Sequence, residues 1–281
     1  MRSSASWPGV MPIWTAASSI REPAGAHRPA AGFPTTATPD GGRPRPPRRS
    51  ERRRPLASPA KSGRAKQTFS PERRRSMTIR VHKGDLPDIS RYTGPVAIDT
   101  ETLGLDTRRD RLCVVQLSPG DGTADVVQIA KGQSEAPNIT ALLKDPAKTK
   151  IFHYARFDVA ALYHAFGVMT DGIFCTKIAS RLTRTYTDRH GLKDLAREMV
   201  GVDISKQQQS SDWAAETLSQ AQVEYAASDV LYLHDIMGGL YKRLEREDRM
   251  ELAKACFTFL PTRAKLDLAG WDDEDIFSHS A

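Results

Sequence analysis

Two acidic residues, Asp99 and Glu101, end an apolar run of the chain and are the first candidates for chemistry. Residues 96–101 predict a short buried strand, on which side chains two positions apart leave the same face. Two carboxylates held that close repel each other. A divalent cation would offset this repulsion, because hard cations prefer oxygen ligands. The pair therefore indicates a metal site or, as the simpler alternative, the solvated end of a strand.

A second pair, Tyr225 and Asp229, lies within residues 218–247, which predict one long helix. Residues four apart lie on the same face of a helix. Asp229 falls within the apolar stripe of this helix, where a carboxylate is costly unless a cation or a donor pairs with it. A metal-binding role and an ordinary place on a solvated flank are both open. The stripe consists of Val223, Ala226, Ala227, Val230, Leu233, Ile236, Met237 and Leu240.

The start of this helix is marked by a predicted capping box between Ser219 and Gln222. Leu218 and Val223 have the spacing of a hydrophobic staple around it.

A third candidate acid, Asp158, follows the predicted strand 150–153 at the start of a helix. Aspartate is common there for capping and dipole reasons alone, so its position by itself decides nothing.

The elements that would position these acids change in kind along the chain. Strands are predicted at 79–81 (an edge strand), 96–101, 112–117 and 124–129, and the short links between the last three indicate an antiparallel meander. Strands at 150–153 and 172–174 then alternate with helices at 138–144, 157–166, 175–182 and 192–200. This order predicts one α/β domain with a mixed sheet.

Charge is distributed unevenly. Residues 1–76 hold 16 of the 41 Lys and Arg residues and only four acids, a net charge of +12. Subtracting this from the +7 of the whole chain leaves −5 for residues 77–281. The basic character thus belongs to the first segment, and the predicted domain is acidic.

The first segment, 1–76, is rich in Pro, Arg, Ser, Ala and Gly and shows no apolar periodicity, so we expect it to be disordered. It is a basic arm for phosphate contacts, a transit peptide, or the product of a start assigned upstream of Met77. We expect one folded domain over 77–249 and a C-terminal extension over 250–281.

Cys113, Cys175 and Cys256 lie far apart and show no zinc-binding spacing, which fits a reducing compartment and predicts a cytoplasmic location. No apolar run approaches the length of a membrane span, so no membrane partner is expected.

Three stretches, in this order, resemble the exonuclease motifs of the DEDD superfamily: VAIDTETLGL, IFHYARFDVAAL and VEYAASDVLYL. The likeness is greatest to ribonuclease D and extends over about residues 78–245. It includes the stretch from GVDISKQQQ through the Asp212-Trp213 pair into the third motif. It implies that residues 77–249 form a 3′–5′ exonuclease domain. The 32 residues of the extension are too few for the additional helical nucleic-acid-binding domain that full-length family members carry. The resemblance implies a ribonuclease H-like α/β fold, with a mixed sheet of an antiparallel meander plus parallel strands flanked by helices.

The same resemblance implies that Asp99, Glu101, Asp158 and Asp229 bind metal. It also implies that Tyr225, which marks the tyrosine subclass, positions the attacking water. Two Mg²⁺ ions, for which Mn²⁺ can substitute, suit an all-oxygen donor set and an in-line displacement at phosphorus.

Three further residues are candidates for substrate contact. Leu103 could wedge against the terminal base or simply pack at a strand end, and Lys206 lies in a polar loop that could touch the substrate backbone. His153 stands where many family members have Asn, and a core or supporting role is favoured over a ligand role. Trp213 is expected in the core.

The resemblance implies a metal-dependent 3′–5′ exoribonuclease that acts on single-stranded RNA 3′ ends and releases nucleoside 5′-monophosphates. Single-stranded DNA is the alternative substrate, because contacts to the 2′-hydroxyl decide between the two. A non-catalytic nucleic-acid-binding module is the rival of a different class. Loss of one carboxylate would favour it, and all four are present.

Overall fold

A six-stranded mixed sheet organises residues 78–279, the part of the chain that this computed structural model describes. The expectations for residues 1–76 lie outside it. The strands are β1 (Thr78–Lys83), β2 (Val96–Thr102), β3 (Leu112–Ser118), β4 (Thr123–Gln128), β5 (Lys150–Phe152) and β6 (Ile173–Cys175). The helices are α1 (Pro137–Lys144), α2 (Ala155–Phe166), α3 (Thr176–Thr183), α4 (Leu192–Met199), α5 (Gln220–Leu231), α6 (Leu233–Arg246) and α7 (Met250–Leu268).

The strand order is β1-β4-β3-β2-β5-β6. Strands β2, β3 and β4 pair antiparallel, which confirms the predicted meander. Strand β1 is an edge strand, as expected, and pairs parallel with β4, while β5 and β6 continue the sheet in parallel from β2. The mixed sheet flanked by helices is the ribonuclease H-like α/β class that was predicted.

Two helices cover the sheet where the candidate acids lie. Helix α2 connects the parallel strands β5 and β6, and ends at Gly167, whose left-handed backbone (φ 65°) caps it. Helix α5 packs across β1 to β4. It begins at Ser219, and the predicted capping box with Gln222 is present. The cap fixes where α5 starts and therefore the height of its acidic residue above the sheet.

The expectation of one continuous helix over 218–247 was wrong. The chain forms α5 and α6 with a break at Tyr232, whose φ of −106° and ψ of −3° depart from helical values. The two halves have different partners, because α5 packs on β1 to β4 whereas α6 packs mainly against α3 and also contacts α4, α7 and β5. The break lies where the helical segment changes partners.

The 250–281 segment contributes a 19-residue helix, α7, which packs mainly against α2. Arg156 of α2 donates to both carboxylate oxygens of Asp267 in α7, at 2.6 and 2.8 Å. Ala253, Phe257, Leu260 and Ala264 bury the inner face of α7. These contacts hold the start of α2, which carries Asp158, in place.

Within residues 78–279, no helix combines the length and apolar character that crossing a membrane requires.

Candidate active site

Three of the predicted acids meet at one point. Asp99 and Glu101 leave the same face of β2, and Asp229 reaches them from α5. One oxygen from each carboxylate lies within 4.8 Å of the others. Asp229 is only 9% exposed. The structure therefore joins residues 130 positions apart in the sequence into a single acidic cluster, which we call the carboxylate cluster.

Asp158 approaches the same cluster from the other side of the sheet. It lies in the first turn of α2 and is 3% exposed. The Thr100 hydroxyl donates to its carboxylate at 2.7 Å. Thr100 stands between Asp99 and Glu101 and points to the opposite face of β2, as strand alternation requires. The strand thus presents two acids to α5 and anchors a third acid on α2.

Tyr225 precedes Asp229 by one helical turn and is half-buried. Its pKa lies above the ordinary value of about 10, because burial and the charges of Asp229, Glu101 and Asp99 disfavour the phenolate. The Trp213 ring packs against the tyrosine ring with their centroids 5.9 Å apart. Trp213 is buried, as predicted, and holds the Tyr225 ring beside the cluster.

Negative charge in the cluster is strongly disfavoured without a cation. Burial raises the pKa of Asp99 to about 7. Burial and the charges of Asp99, Asp229 and Asp158 raise the pKa of Glu101 to about 10. Burial first, and the charge of Asp99 second, hold the pKa values of Asp158 and Asp229 well above the usual range. Within residues 78–279, no Lys or Arg side chain forms an ion pair with any of these four carboxylates.

The three weaker candidates lie on separate elements. Leu103 follows the acidic strand and is 54% exposed, and Lys206 is exposed in the loop before α5. His153 lies at the end of β5, where its Nδ1 is 2.9 Å from the Thr176 hydroxyl. Burial lowers the pKa of His153 to about 3, so its imidazole is neutral at physiological pH.

Sequence reasoning missed two neighbours of the acids. Thr100 was visible between Asp99 and Glu101, but its bond to Asp158 joins elements 58 residues apart. Tyr154, just before α2, has a left-handed backbone (φ 70°), which is uncommon for a residue with a side chain. Lys177 Nζ lies 3.9 Å from the centre of its ring. Neither feature has a short-range sequence signal.

The family model described as a 3′–5′ exonuclease matches residues 85–245, more than half of the chain. This chain belongs to the 3′–5′ exonuclease family. The match contains all four acids and Tyr225, so the residues that meet in the structure lie within the family domain.

Solved nucleases agree with this membership. NrnC of Brucella melitensis with bound Mg²⁺ is 65% identical, with a TM-score of 0.70, over 73% of this exonuclease and 100% of that chain. The same protein bound to pGG is 66% identical, with a TM-score of 0.71 and the same coverage. RNase D of Escherichia coli is 26% identical, with a TM-score of 0.56, over 62% of this chain and 46% of that one.

Among curated proteins, ribonuclease D of Gluconacetobacter diazotrophicus is 38% identical over 156 residues. The matched part covers 56% of this exonuclease and 39% of that protein. The chain therefore spans about two fifths of the length of this relative, as it does for two other ribonuclease D proteins.

Proposed function

We propose that this chain is a metal-dependent 3′–5′ exoribonuclease that hydrolyses RNA from the 3′ end and releases nucleoside 5′-monophosphates. The observation that carries the proposal is the convergence of Asp99, Glu101 and Asp229 within 4.8 Å. Asp158 and Tyr225 lie beside them, and the chain belongs to the 3′–5′ exonuclease family. A purely structural role would leave several buried carboxylates without a cation, which is energetically costly.

The donor set suits two Mg²⁺ ions, with Mn²⁺ as a substitute, held by Asp99, Glu101, Asp158 and Asp229. All four donors are carboxylates, which match hard divalent cations. Burial and mutual repulsion raise the pKa values of Asp99 and Glu101, and a bound cation would offset this repulsion. When bound, such ions supply an activated water and stabilise the leaving oxygen of an in-line displacement.

Tyr225 is proposed to orient the attacking water. Its pKa lies above 10, so the hydroxyl keeps its proton near neutral pH and is a poor general base. A neutral hydroxyl one helical turn from Asp229 can still direct a water by hydrogen bonding. Trp213, packed on the ring, would limit the freedom of the hydroxyl.

Substrate contacts are proposed for Leu103 and Lys206. The exposed Leu103 side chain follows the acidic strand directly and can contact the terminal base, while the Lys206 ammonium can contact a phosphate. For His153 we favour a supporting role, because its ring is neutral and bonded to Thr176 at the strand end that leads to Asp158.

RNA is the proposed substrate because the curated relatives are ribonuclease D proteins. The NrnC structure bound to pGG supports the binding of the same ligand by this chain. A cytoplasmic location is also proposed, since Cys113, Cys175 and Cys256 are all free thiols.

Matched RNA and DNA oligomers labelled at the 3′ or the 5′ end, incubated with Mg²⁺ or with EDTA, test the proposal. We expect 3′-labelled RNA to release its labelled nucleotide first, 5′-labelled RNA to shorten stepwise, and EDTA to stop both. Preferential degradation of DNA would favour the alternative substrate. RNA binding without degradation in Mg²⁺ would contradict the enzymatic proposal and favour a binding module.

A further inference from the structure

The Gln116 side chain is buried in strand β3 without a hydrogen-bond partner. It is 0% exposed, and within residues 78–279 neither its Nε2 nor its Oε1 has a partner. A buried amide without partners destabilises a fold, and an apolar side chain of the same size would avoid that cost. A group of this kind calls for an explanation in terms of function.

Gln116 lies directly beside the carboxylate cluster. In the antiparallel pairing of β2 and β3, its register partner is Asp99. Residues directly opposite each other project from the same face, with Cβ atoms roughly 4.5–5.5 Å apart. The amide therefore occupies the layer between the sheet and α5, within reach of the Asp99 carboxylate by rotation of its own side chain.

The acids of the site differ in their hydrogen-bond donors. Thr100 donates to Asp158 at 2.7 Å, whereas no side chain among residues 78–279 donates to Asp99 or Glu101. Of these two acids, Asp99 is the register partner of Gln116, since Glu101 pairs with Val114. An unsatisfied donor and a carboxylate without a side-chain donor thus occupy paired positions on adjacent strands.

We propose that Gln116 is a positioning residue for Asp99. Its Nε2–H group donates to the outer oxygen of the Asp99 carboxylate when that carboxylate is charged, and so fixes the orientation in which the other oxygen binds metal. Carboxylates that ligate metals are themselves hydrogen-bonded in this way. The inference rests on the proposed metal-dependent function and adds a residue outside the four ligands.

The test is Mn²⁺ binding to wild type and to Gln116→Met, measured by calorimetry at fixed pH. Methionine keeps the length of the side chain and removes the donor. We expect the Kd for Mn²⁺ to rise about tenfold or more, since loss of an outer-layer partner typically weakens metal binding by 10–100-fold. The melting temperature of the metal-free protein should stay level or rise, because an unpartnered amide is gone.

Val126→Ala is the matched control. Val126 is the register partner of Gln116 on β4, equally buried, on the same face and one strand farther from Asp99. It should lower the melting temperature and leave Mn²⁺ affinity unchanged. A measurement of kcat and KM adds a second readout, in which Gln116→Met should lower kcat and leave the KM for RNA nearly unchanged.

An Mn²⁺ affinity of Gln116→Met within twofold of wild type would overturn the role of Gln116 and leave the proposed function standing. Equal weakening in Val126→Ala would also overturn it, because general packing would then explain the loss. Failure of the wild type to bind Mn²⁺ would instead refute the metal-dependent function itself. If the methionine variant does not fold, Gln116→Leu makes the same comparison.

Discussion

Two buried carboxylates on opposite sides of the antiparallel meander have opposite surroundings. Asp125 on β4 is 2% exposed and accepts hydrogen bonds from Tyr92 at 2.6 Å and Arg91 at 2.7 Å. His82 on the edge strand lies 2.9 Å from it. Asp229, which is 9% exposed, meets Asp99 and Glu101 instead of a cation.

We interpret this difference as that between a structural acid and a metal-binding one. A buried carboxylate is tolerated when its charge is paired and its oxygens are bonded, and Asp125 satisfies both conditions. Within residues 78–279, no Lys or Arg pairs with the carboxylate cluster, and no side chain donates to Asp99 or Glu101. An aspartate thus stabilises the fold on one face of the meander, and on the other face we propose that an aspartate binds a cation from solution.

Asp229→Asn should cause the largest loss of activity and should increase the stability of the metal-free protein. It removes a ligand charge at nearly constant volume, so cleavage should fall by on the order of 10³-fold, comparable to the loss of a key electrostatic group elsewhere. The metal-free protein should gain about 1 kcal/mol, or roughly 2–4 °C in Tm, because one repelling charge is gone. Cleavage assays with Mg²⁺ and thermal melts in EDTA measure the two effects. Turnover like that of wild type would remove Asp229 from the site.

Asp125→Asn should show the reverse behaviour. Arg91 would lose its partner in a partly buried position, which should cost roughly 3 kcal/mol or about 6–12 °C in Tm. Cleavage per folded molecule should be unchanged at a temperature well below the transition. Melting curves and single-turnover assays at 20–25 °C are the measurements. A large loss of cleavage in this fully folded variant would show that Asp125 also contributes to activity, so the two acids would not differ as proposed.

Some of these features can be predicted from the sequence, and others cannot. The capping box of Ser219 and Gln222 is local, so the start of α5 could be predicted. The break at Tyr232 could not, because no Gly or Pro marks it and its cause is the separate packing of α5 and α6. The four acids are predicted from the resemblance of the three motifs to a known family.

The groups around the acids needed tertiary structure. Thr100 bonds to Asp158 on the face of β2 opposite Asp99, and Gln116 lies beside Asp99 only through the register of β2 and β3. Strand pairing links residues far apart in sequence, and single-sequence patterns carry little information about it. The sequence likewise predicts only a C-terminal extension over 250–281, whereas helix α7 of this segment packs against α2.

Tyr225→Phe should lower the rate while preserving the cluster. The ring and its contact with Trp213 remain, and only the hydroxyl that orients water is lost. We expect kcat and kcat/KM to fall together by about 10²-fold, the lower end for a preorganised hydrogen-bond donor. Single-turnover cleavage at saturating Mg²⁺ measures this. A rate within twofold of wild type would mean that Tyr225 is only a packing residue.

The smallest expected effect is the pH dependence of metal stabilisation. The pKa of Asp99 is raised to about 7 in the fold and lies near 4 in an unfolded chain. The folded metal-free protein therefore holds more protons than the unfolded chain between these values, and its stability falls as pH rises from about 4 to about 7. Divalent metal removes this penalty by binding the charged form. The gain in Tm from Mn²⁺ should thus be several degrees larger at pH 8 than at pH 5, and equal gains at both pH values would argue against a metal site made of these carboxylates.

A crystal of the protein soaked in Mn²⁺ and measured for anomalous scattering tests whether the four acids bind metal. We expect one or two anomalous peaks bonded to carboxylate oxygens of Asp99, Glu101, Asp158 and Asp229. Asp125, equally buried but already paired, should have none. A protein that hydrolyses RNA in Mn²⁺ yet shows no anomalous peak at the carboxylate cluster would refute the proposed metal site.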